Sequence, residues 1–468
     1  MDARPGPAES TLVEALHEHG QEHVLHRIDR LDAPARARLL AQLACLDLGR
    51  LREFRRLLDA PPSAPSGDDI RPAPVEVLPT NEAGREREAG IARLGLDALR
   101  ADRVAALTVA GGQGTRLGYP HPKGLFPVSP VRGKSLFQWL GEKVLAARRR
   151  HGCGLPWLIM TSPDNDAETR GFFERNAFFG LGADTVHFFT QGVNPILSED
   201  GRLLLADADR LLVGPDGHGG LFDALARSGL IEMLARSGRD LISCFQVDNP
   251  LMDVADPRFL GHHIRRGAGL SSKVLAKRSP DERLGLAVIL DGRPAVVEYS
   301  DVPGDIAAAR LPDGELRLRF GSIAAHVLSV PFVEDVARDE RGLPWHVARK
   351  TYEVLDDEGR RTVRPGCVKF ERFLFDALAF CRETAFVEVR RESQFAPVKN
   401  ALGDDSPDSA RRMMRSLWLE WLRSAGVRVP EQEAPPIEIS PLYADSEEEF
   451  RLRMRPGRPP TFPLVLDA

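Results

Sequence analysis

A chain of 468 residues is long enough for two or three domains with sizeable cores, and its 63 basic against 68 acidic residues leave a net charge of −5. That balance excludes a broad electrostatic footprint for nucleic acid, so any cations that bind anions must act locally. With 43% hydrophobic and 28% charged residues, no apolar run of membrane-spanning length, no basic and apolar leader in Met1-Asp2-Ala3-Arg4-Pro5, and five scattered cysteines without a Cys-x-x-Cys pair, the expected setting is the cytoplasm, with reduced thiols and no membrane partner.

Residues 10 to 58 read as helices, because Leu12, Leu16, Leu25, Ile28, Leu31, Leu39, Leu40, Leu43 and Leu51 are spaced among Arg, Glu and His. His17, His19, His23 and His26 crowd this region. His19 and His23 are one helical turn apart, but no acidic or cysteine partner completes a zinc pattern. From Asp59 to about Thr80, Pro61, Pro62, Pro65, Pro72 and Pro74 with Ser63, Ser66 and Gly67 predict a linker or an extended wrap. A helix carrying Ile91, Leu94, Leu96 and Leu99 then leads into a β-prone run, Ala105 to Ala110, so the main domain is expected to begin near residue 85.

That run feeds a loop with glycines at Gly111, Gly112, Gly114 and Gly118. Glycine allows φ > 0 and places no Cβ between backbone and ligand, so successive N–H groups can converge on anionic oxygens. Arg116 adds a planar fork suited to phosphate oxygens, and Lys123, between Pro122 and Gly124, adds a compact point charge. A dinucleotide template fails because the third glycine arrives one residue late, at Gly118, and no Gly-Lys-Ser/Thr closes this loop.

Ser135 is placed to cap a helix with Leu136, Leu140, Val144 and Ala147; Trp157 to Met160 reads as a buried strand ending at Thr161-Ser162. A helix from Asp166 to Phe178 and a strand from Val186 to Phe189, ending in Gln191-Gly192, follow. This β-α-β-α order predicts a mostly parallel sheet with helices on both faces and ligands beyond the carboxyl ends of the strands. The loop Pro215-Asp216-Gly217-His218-Gly219-Gly220, before a helix expected over Leu221 to Ser237, suits a ligand with phosphate or hydroxyl groups or serves as an ordinary turn and cap.

Leu241 to Val247 is a strong strand pattern in which Cys244 reads as core rather than nucleophile. It ends in Asp248-Asn249, a strand-end carboxylate able either to hold magnesium with a triphosphate or to shape a turn. Lys273 to Ala276, Leu286 to Leu290 and Ala295 to Val297 read as strands, the last two joined as a hairpin through Asp291-Gly292. Phe320 to Ile323 and Val327 to Val330 follow, and the segment from Trp345 to Glu371, ahead of a helix with Phe373, Leu374 and Leu378, is expected to shape a substrate pocket. After a strand at Phe386 to Val389, Lys399 sits in Pro397-Val398-Lys399-Asn400, where a solvated lysine is the ordinary reading. Residues 404 to 426 read as helical, and a tail punctuated by Pro430, Pro435 and Pro436, with Ile437, Ile439 and Leu442, reads as a small domain of short strands.

The run Ala110-Gly111-Gly112-Gln113-Gly114-Thr115-Arg116-Leu117-Gly118 with Pro122-Lys123-Gly124 resembles the signature loop of the eukaryotic-type UDP-sugar pyrophosphorylases (UDPGP type 1), most closely the UDP-N-acetylglucosamine branch. Motifs similar to that family's recur in its order: Ile159-Met160-Thr161-Ser162, Gln191-Gly192, Pro215-Asp216-Gly217, Val247-Asp248-Asn249, Ala255-Asp256-Pro257-Arg258-Phe259, Val297-Glu298-Tyr299-Ser300 and Pro397-Val398-Lys399-Asn400. The resemblance implies an α/β fold: a Rossmann-like nucleotidyltransferase domain with a mixed, mostly parallel sheet, an N-terminal helical region and a small C-terminal β-rich domain. The corresponding divisions are 1–84, 85–403 and 404–468.

The implied reaction is uridylyl transfer from UTP to a sugar-1-phosphate, with release of pyrophosphate. By resemblance, Gly111, Gly112, Gln113, Gly114 and Thr115 hold the nucleotide, Arg116 the leaving pyrophosphate, Lys123 the transferring phosphate and Lys399 the α-phosphate of the product. Gln191 and Gly217 read uracil, Asp248 matches a ligand of Mg2+ (or Mn2+), and Glu298 matches the acid that accepts from sugar hydroxyls. Two positions depart from the N-acetylglucosamine pattern: His218, beside Gly219, stands where Asn is usual, and Ser322 replaces the Asn of a Gly-Asn-Ile run. N-acetylglucosamine-1-phosphate is therefore the first expected acceptor, with glucose-1-phosphate or relaxed specificity the alternative. An NAD-dependent oxidoreductase would not explain Arg116 and Lys123, and a non-catalytic nucleotide-sugar sensor would have little need for Arg116, Lys123, Asp248 and Lys399 together. The sequence carries no signal for an oligomeric state.

Overall fold

The structure, a computed structural model, describes residues 7–59, 70–429, 436–454 and 464–467. Pro61, Pro62 and Pro65 of the expected linker and Pro430 and Pro435 of the tail lie outside them. The chain forms two compact units, one drawn from the described residues of Met1–Ser63, Gln191–Gly220 and Leu343–Leu374, the other from those of Ala64–Thr190, Leu221–Gly342 and Phe375–Ala468. This division differs from the three consecutive segments expected, since the first unit is assembled from stretches far apart in sequence.

In the first unit the helices Pro7–Glu18, Glu22–Ile28, Ala33–Ala44 and Gly49–Asp59 bury Leu16, Val24, Leu39, Leu43 and Phe54 against Leu197, Val368 and Phe370. The third helix starts where the Asp32 side chain accepts from the Ala35 N–H at 2.8 Å, with a proline in the first turn. Gln21, fully buried, donates to the Gly201 carbonyl at 3.1 Å and accepts from the Leu203 N–H at 2.8 Å, which fastens the helices to the 191–220 stretch. The segment from Trp345 to Glu371 contains a long hairpin, His346–Leu355 paired antiparallel with Arg361–Glu371, and Phe370 stacks on Phe54 at 4.0 Å.

The second unit is organised by an eleven-stranded sheet. In chain order its strands are β1 (Ile70–Pro72), β2 (Val75–Glu76), β3 (Val104–Val109), β4 (Trp157–Thr161), β5 (Val186–Thr190), β6 (Leu241–Gln246), β7 (Leu270–Ala276), β8 (Leu286–Leu290), β9 (Arg293–Val297), β10 (Phe320–Ser329) and β11 (Phe386–Glu388). The spatial order is β2-β11-β7-β10-β6-β3-β4-β5, with β8 pairing β10 and carrying β1 and β9. All pairs along that path are parallel except those made by β10, which is antiparallel to both neighbours. The sheet is thus mixed and, along that path, mostly parallel, and every residue of β3 is buried, as a strand covered on both faces requires. Part of the expected linker is β1 and β2, paired into this sheet.

Helix starts follow the sequence closely. Ser135 accepts from the Gln138 N–H at 3.0 Å and begins the helix Leu136–His151. The helix Glu82–Arg100 crosses the helix Pro257–Arg266 at close range, because a Cβ at Gly95 would lie 2.0 Å from the Pro257 carbonyl and one at Gly261 would lie 2.0 Å from the Ile91 carbonyl. Helix ends are less predictable. The helix expected to reach Phe178 stops at Arg175, where Ala177, Phe178 and Phe179 adopt left-handed φ of 47°, 51° and 54°, and the helix expected to reach Ser237 is interrupted at Gly229, with φ 72°. The two strands expected around residue 325 are one, β10, interrupted by Ala324 at φ 55°. Asp291 and Gly292 take φ of 50° and 76°, as a two-residue turn between β8 and β9 demands.

The C-terminal segment is less β-rich than the resemblance implies. Among its described residues, Ile437–Ile439 and Leu464–Leu466 pair as strands, but the helix Pro407–Ser424 dominates and buries Ala410, Met414, Trp418 and Leu422 in the same core as the sheet. The helix expected over residues 404 to 426 is Pro407–Ser424, started by the capping box at Ser406 and Ser409, and Ile437 and Ile439 of the expected tail lie in a short strand.

Candidate active site

The glycine loop leaves the carboxyl end of β3 and is cross-braced by its own backbone. Gly114 N–H donates to the His121 carbonyl at 2.9 Å, Tyr119 N–H to the Gly114 carbonyl at 3.1 Å and Lys123 N–H to the Gly112 carbonyl at 3.1 Å. The Asn165 side chain holds the Ala110 carbonyl at 3.0 Å from the β4 side. Of the four glycines only Gly118 has positive φ, 67°. Gly114 is needed for room instead, since a Cβ there would lie 2.8 Å from the Tyr119 carbonyl. Gly112, Gln113, Thr115 and Arg116 are exposed at the surface of the loop, and Gly111 is buried at its root.

Lys123 returns from this loop toward β6. Its Nζ lies 3.1 Å from Asp248 Oδ2, and the two side chains are only 17% and 14% exposed. Gly124 makes this approach feasible, because a Cβ there would fall 2.1 Å from the Phe137 ring. Asp248 follows β6, and its carbonyl accepts from the Val398 N–H at 2.9 Å. Next to it, buried Asn249 accepts from the Ala396 N–H at 3.0 Å and donates to the Gln394 carbonyl at 2.8 Å. The segment carrying Lys399 is therefore fastened to the residue whose carboxylate Lys123 faces, and Lys399 is partly buried rather than freely solvated.

Behind it lies a cluster that the sequence did not single out as functional. Lys273, 1% exposed, pairs with Asp256 Oδ2 at 2.9 Å and donates to Gln394 Oε1 at 2.6 Å. Burial pushes the Asp256 carboxyl up, but the Lys273 ammonium and backbone N–H donors outweigh it, and the group ends below the ordinary carboxylate range. The apolar strand pattern around Lys273 was the available signal, since a lysine inside a buried strand needs a partner. Cys244 is 2% exposed within β6 and burial pushes its thiol up to about 12, as a core residue rather than a nucleophile.

The two expected sugar contacts of this unit also converge. Leu286, at the start of β8, pairs with Val297 on one side and Gly321 on the other, so Glu298 and Ser322 flank the same strand end, and Ser322 N–H donates to the Gly285 carbonyl at 2.8 Å.

The remaining candidates gather in the first unit. Asp216 N–H donates to the Gly192 carbonyl at 3.0 Å, which sets the Gly217 loop beside Gln191. Gly217, at φ 87°, and Gly219 back directly on Arg372, where a Cβ at Gly217 would lie 2.4 Å from the Arg372 carbonyl oxygen. His218 Nδ1 accepts from the Leu374 N–H at 2.8 Å, so the neutral ring carries its proton on Nε2, and the ring stacks near Phe373 at 5.3 Å. The loop is thus a built structure backed by the 343–374 stretch, not a free turn.

Among the described residues no group of three or more His, Cys, Asp and Glu side chains forms a metal cage. Asp248 offers one carboxylate, and a divalent cation that travels with a triphosphate takes most of its ligands from phosphate oxygens and water, so the donor set fits such an ion. No described helix is long and apolar enough to cross a membrane.

The chain is similar to known proteins along most of its length. Residues 65–405 match the family model described as UTP-glucose-1-phosphate uridylyltransferase (UDPGP). The chain is 36% identical to the human UDP-N-acetylhexosamine pyrophosphorylase-like protein 1, covering 97% of this chain and 96% of the relative. It is 32% identical to the UDP-N-acetylglucosamine pyrophosphorylase of Saccharomyces cerevisiae, covering 88% and 91%. The crystal structure of the uridine diphosphate N-acetylglucosamine pyrophosphorylase from Trypanosoma brucei superposes with a TM-score of 0.82 at 28% identity, covering 100% of this chain and 99% of that one. With the family match spanning most of the sequence and relatives above 30% identity along nearly all of it, the chain belongs to the UDPGP family of nucleotidyltransferases.

Proposed function

We propose that this nucleotidyltransferase makes UDP-N-acetylglucosamine and pyrophosphate from UTP and N-acetylglucosamine-1-phosphate. The observation that carries the reading is the convergence of Lys123, Asp248 and the Lys399 segment at the carboxyl ends of β3 and β6. Both reactants are anions, so the protein must offset their repulsion, align the attacking sugar-phosphate oxygen with the leaving pyrophosphate and stabilise charge on the phosphoryl oxygens. A phosphate monoester is already deprotonated at neutral pH, and neither a covalent nucleophile nor a general base is required.

In this reading the backbone from Gly111 to Gly114, with Thr115, holds the ribose and phosphates, and exposed Arg116 takes the leaving pyrophosphate. Lys123 and Lys399 bind the transferring α-phosphate from two elements. Asp248 would hold a divalent cation, magnesium or manganese, whose charge offsets that of the triphosphate. The free protein keeps the Lys123 and Asp248 charges balanced against each other at 3.1 Å, so that Lys123 would be available to phosphate and Asp248 would hold the cation once substrate enters. Gln191 and Gly217 read uracil, while Glu298, His218, Gly219 and Ser322 contact the sugar.

Several relatives are named for N-acetylglucosamine, which favours that acceptor. His218 and Ser322 favour a second substrate, glucose-1-phosphate, because they lack the amides usual at these positions. A fixed Nε2–H donor serves a hydroxyl or an acetamido carbonyl alike. The two sugar phosphates are expected to differ by less than about a hundredfold in kcat/KM, or ~3 kcal/mol. Steady-state rates with glucose-, galactose- and N-acetylglucosamine-1-phosphate test this. His218→Asn combined with Ser322→Asn should shift preference toward the acetamido sugar, whereas strict glucose preference unmoved by the double change would overturn the acceptor assignment.

A further inference from the structure

Of the motifs along the chain, Ala255-Asp256-Pro257-Arg258-Phe259 supplies no group to the phosphate, uracil or sugar contacts proposed above. Its side chains instead hold the segment that ends in Lys399. Asp256 divides its carboxylate: Oδ1 accepts from the Arg258 and Phe259 N–H groups at 3.0 and 3.2 Å and caps the helix Pro257–Arg266, while Oδ2 lies 2.9 Å from Lys273 Nζ. The same ammonium donates to Gln394 Oε1 at 2.6 Å and lies 5.4 Å from the centroid of the Phe259 ring. Arg258 donates to the Glu388 carbonyl at 2.8 Å, at the end of β11 where the segment begins.

From Gln394 to Lys399 the backbone is pinned at every second residue. The Gln394 carbonyl accepts from Asn249 Nδ2 at 2.8 Å, Ala396 N–H donates to Asn249 Oδ1 at 3.0 Å, and Val398 N–H donates to the Asp248 carbonyl at 2.9 Å. These bonds all run to the turn after β6, whereas the Gln394 side chain reaches β7 through Lys273. A lysine has only donors, so the amide oxygen must face it, which leaves Nε2 at 3.4 Å from Asp256 Oδ2. Replacing a buried ion pair by apolar side chains of similar volume is often neutral or stabilising, so stability alone does not account for an ammonium that is 1% exposed. What the pair adds is a fixed direction.

We propose that Lys273 is a positioning residue for uridylyl transfer: anchored by Asp256 at the capped start of a helix, it holds Gln394 and, through it, the run that presents Lys399. The proposal rests on the reading of Lys399 as the lysine at the α-phosphate. A misplacement of about 1 Å in such a contact can cost about a hundredfold in rate, so a pin five residues away is enough to matter.

Gln394→Leu removes the acceptor while leaving the Lys273 and Asp256 pair and the backbone bonds in place. It is expected to lower kcat about tenfold, with KM for UTP changed by less than about twofold and little change in thermal unfolding. Gln394→Glu, which keeps an acceptor for the ammonium and gives up only the 3.4 Å contact to Asp256, is expected to recover most of that loss. In a Lys399→Met background Gln394→Leu should cause no further loss, because the side chain it positions is gone. Wild-type kcat in Gln394→Leu, an equal loss in Gln394→Glu, or the same loss repeated in the Lys399→Met enzyme would overturn the proposal. If Gln394→Leu does not fold, Lys273→Met combined with Asp256→Asn removes both charges, keeps the helix cap and carries the same cycle; wild-type kcat, or a loss undiminished in the Lys399→Met background, then overturns it. Unchanged kcat in Lys399→Met alone would instead overturn the role of Lys399, a result read from the single variant.

Discussion

Lys123 is useful only because its neighbour is glycine: the missing Cβ at Gly124 lets the loop pass the Phe137 ring and brings the ammonium to Asp248. Arg116, exposed on the same loop, is free of that packing constraint. Arg116→Ala and Lys123→Ala should each lower turnover by about two orders of magnitude or more while leaving the thermal unfolding curve nearly in place, since each removes a positioned phosphate contact from a loop rather than from the core. Near-normal turnover in both would contradict the assignment of this loop to the phosphates. Asp248→Asn should raise the divalent cation concentration needed for half-maximal rate far more than it weakens binding of free uridine; equal effects on both would speak against a cation at Asp248. These residues were legible because each belongs to a short motif whose chemistry is local. Lys273 and Gln394 were not, nor were the bonding roles of Asn249 and Asp256, because these lie in contacts between separate segments, such as Asn249 to Gln394 and Lys273 to Gln394, more than a hundred residues apart.

At the scale of elements, the helix Pro257–Arg266 ties the sheet to its covering layer through His263. Its two ring nitrogens lie 2.9 Å from the hydroxyls of Ser271 and Ser329. Burial lowers its pKa from 6.5 to about 4, with the Asp240 charge opposing only weakly. The unfolded chain therefore binds this proton more readily than the folded one between these values, so the stabilisation from a neutral His263 is fully present above pH 6.5 and is lost as pH falls toward 4. The full loss is on the order of 3 kcal/mol. Urea midpoints measured from pH 7.5 to 5 should fall, and His263→Asn, though less stable throughout, should show a shallower slope; parallel slopes would remove His263 from the acid response. Strands and helix starts were legible from apolar spacing and caps such as Ser135. The His346–Leu355 and Arg361–Glu371 hairpin was not, because runs of exposed, mostly charged or polar residues, Arg349 to Thr351 and Arg361 to Pro365, interrupt any apolar alternation. Nor were the stops at Arg175 and Gly229, where left-handed residues override a continuing helical pattern.

For the molecule as a whole, the sequence order hides the architecture. Residues 191–220 and 343–374 leave the sheet unit and join the N-terminal helices, and what holds them there is side-chain bonding such as Gln21 to Gly201 and Leu203, which no local pattern announces. The α/β character and the mixed, mostly parallel sheet were legible, because alternating strand and helix patterns admit few topologies. The chemistry assigned to that architecture is uridylyl transfer, and one measurement bears on it most directly: the products formed from UTP and N-acetylglucosamine-1-phosphate with magnesium, followed for both nucleotide and pyrophosphate. The account predicts UDP-N-acetylglucosamine and pyrophosphate in equal amounts, with both lost together in Lys123→Ala. UTP left intact with every sugar-1-phosphate offered, or consumed without a UDP-sugar appearing, would contradict it.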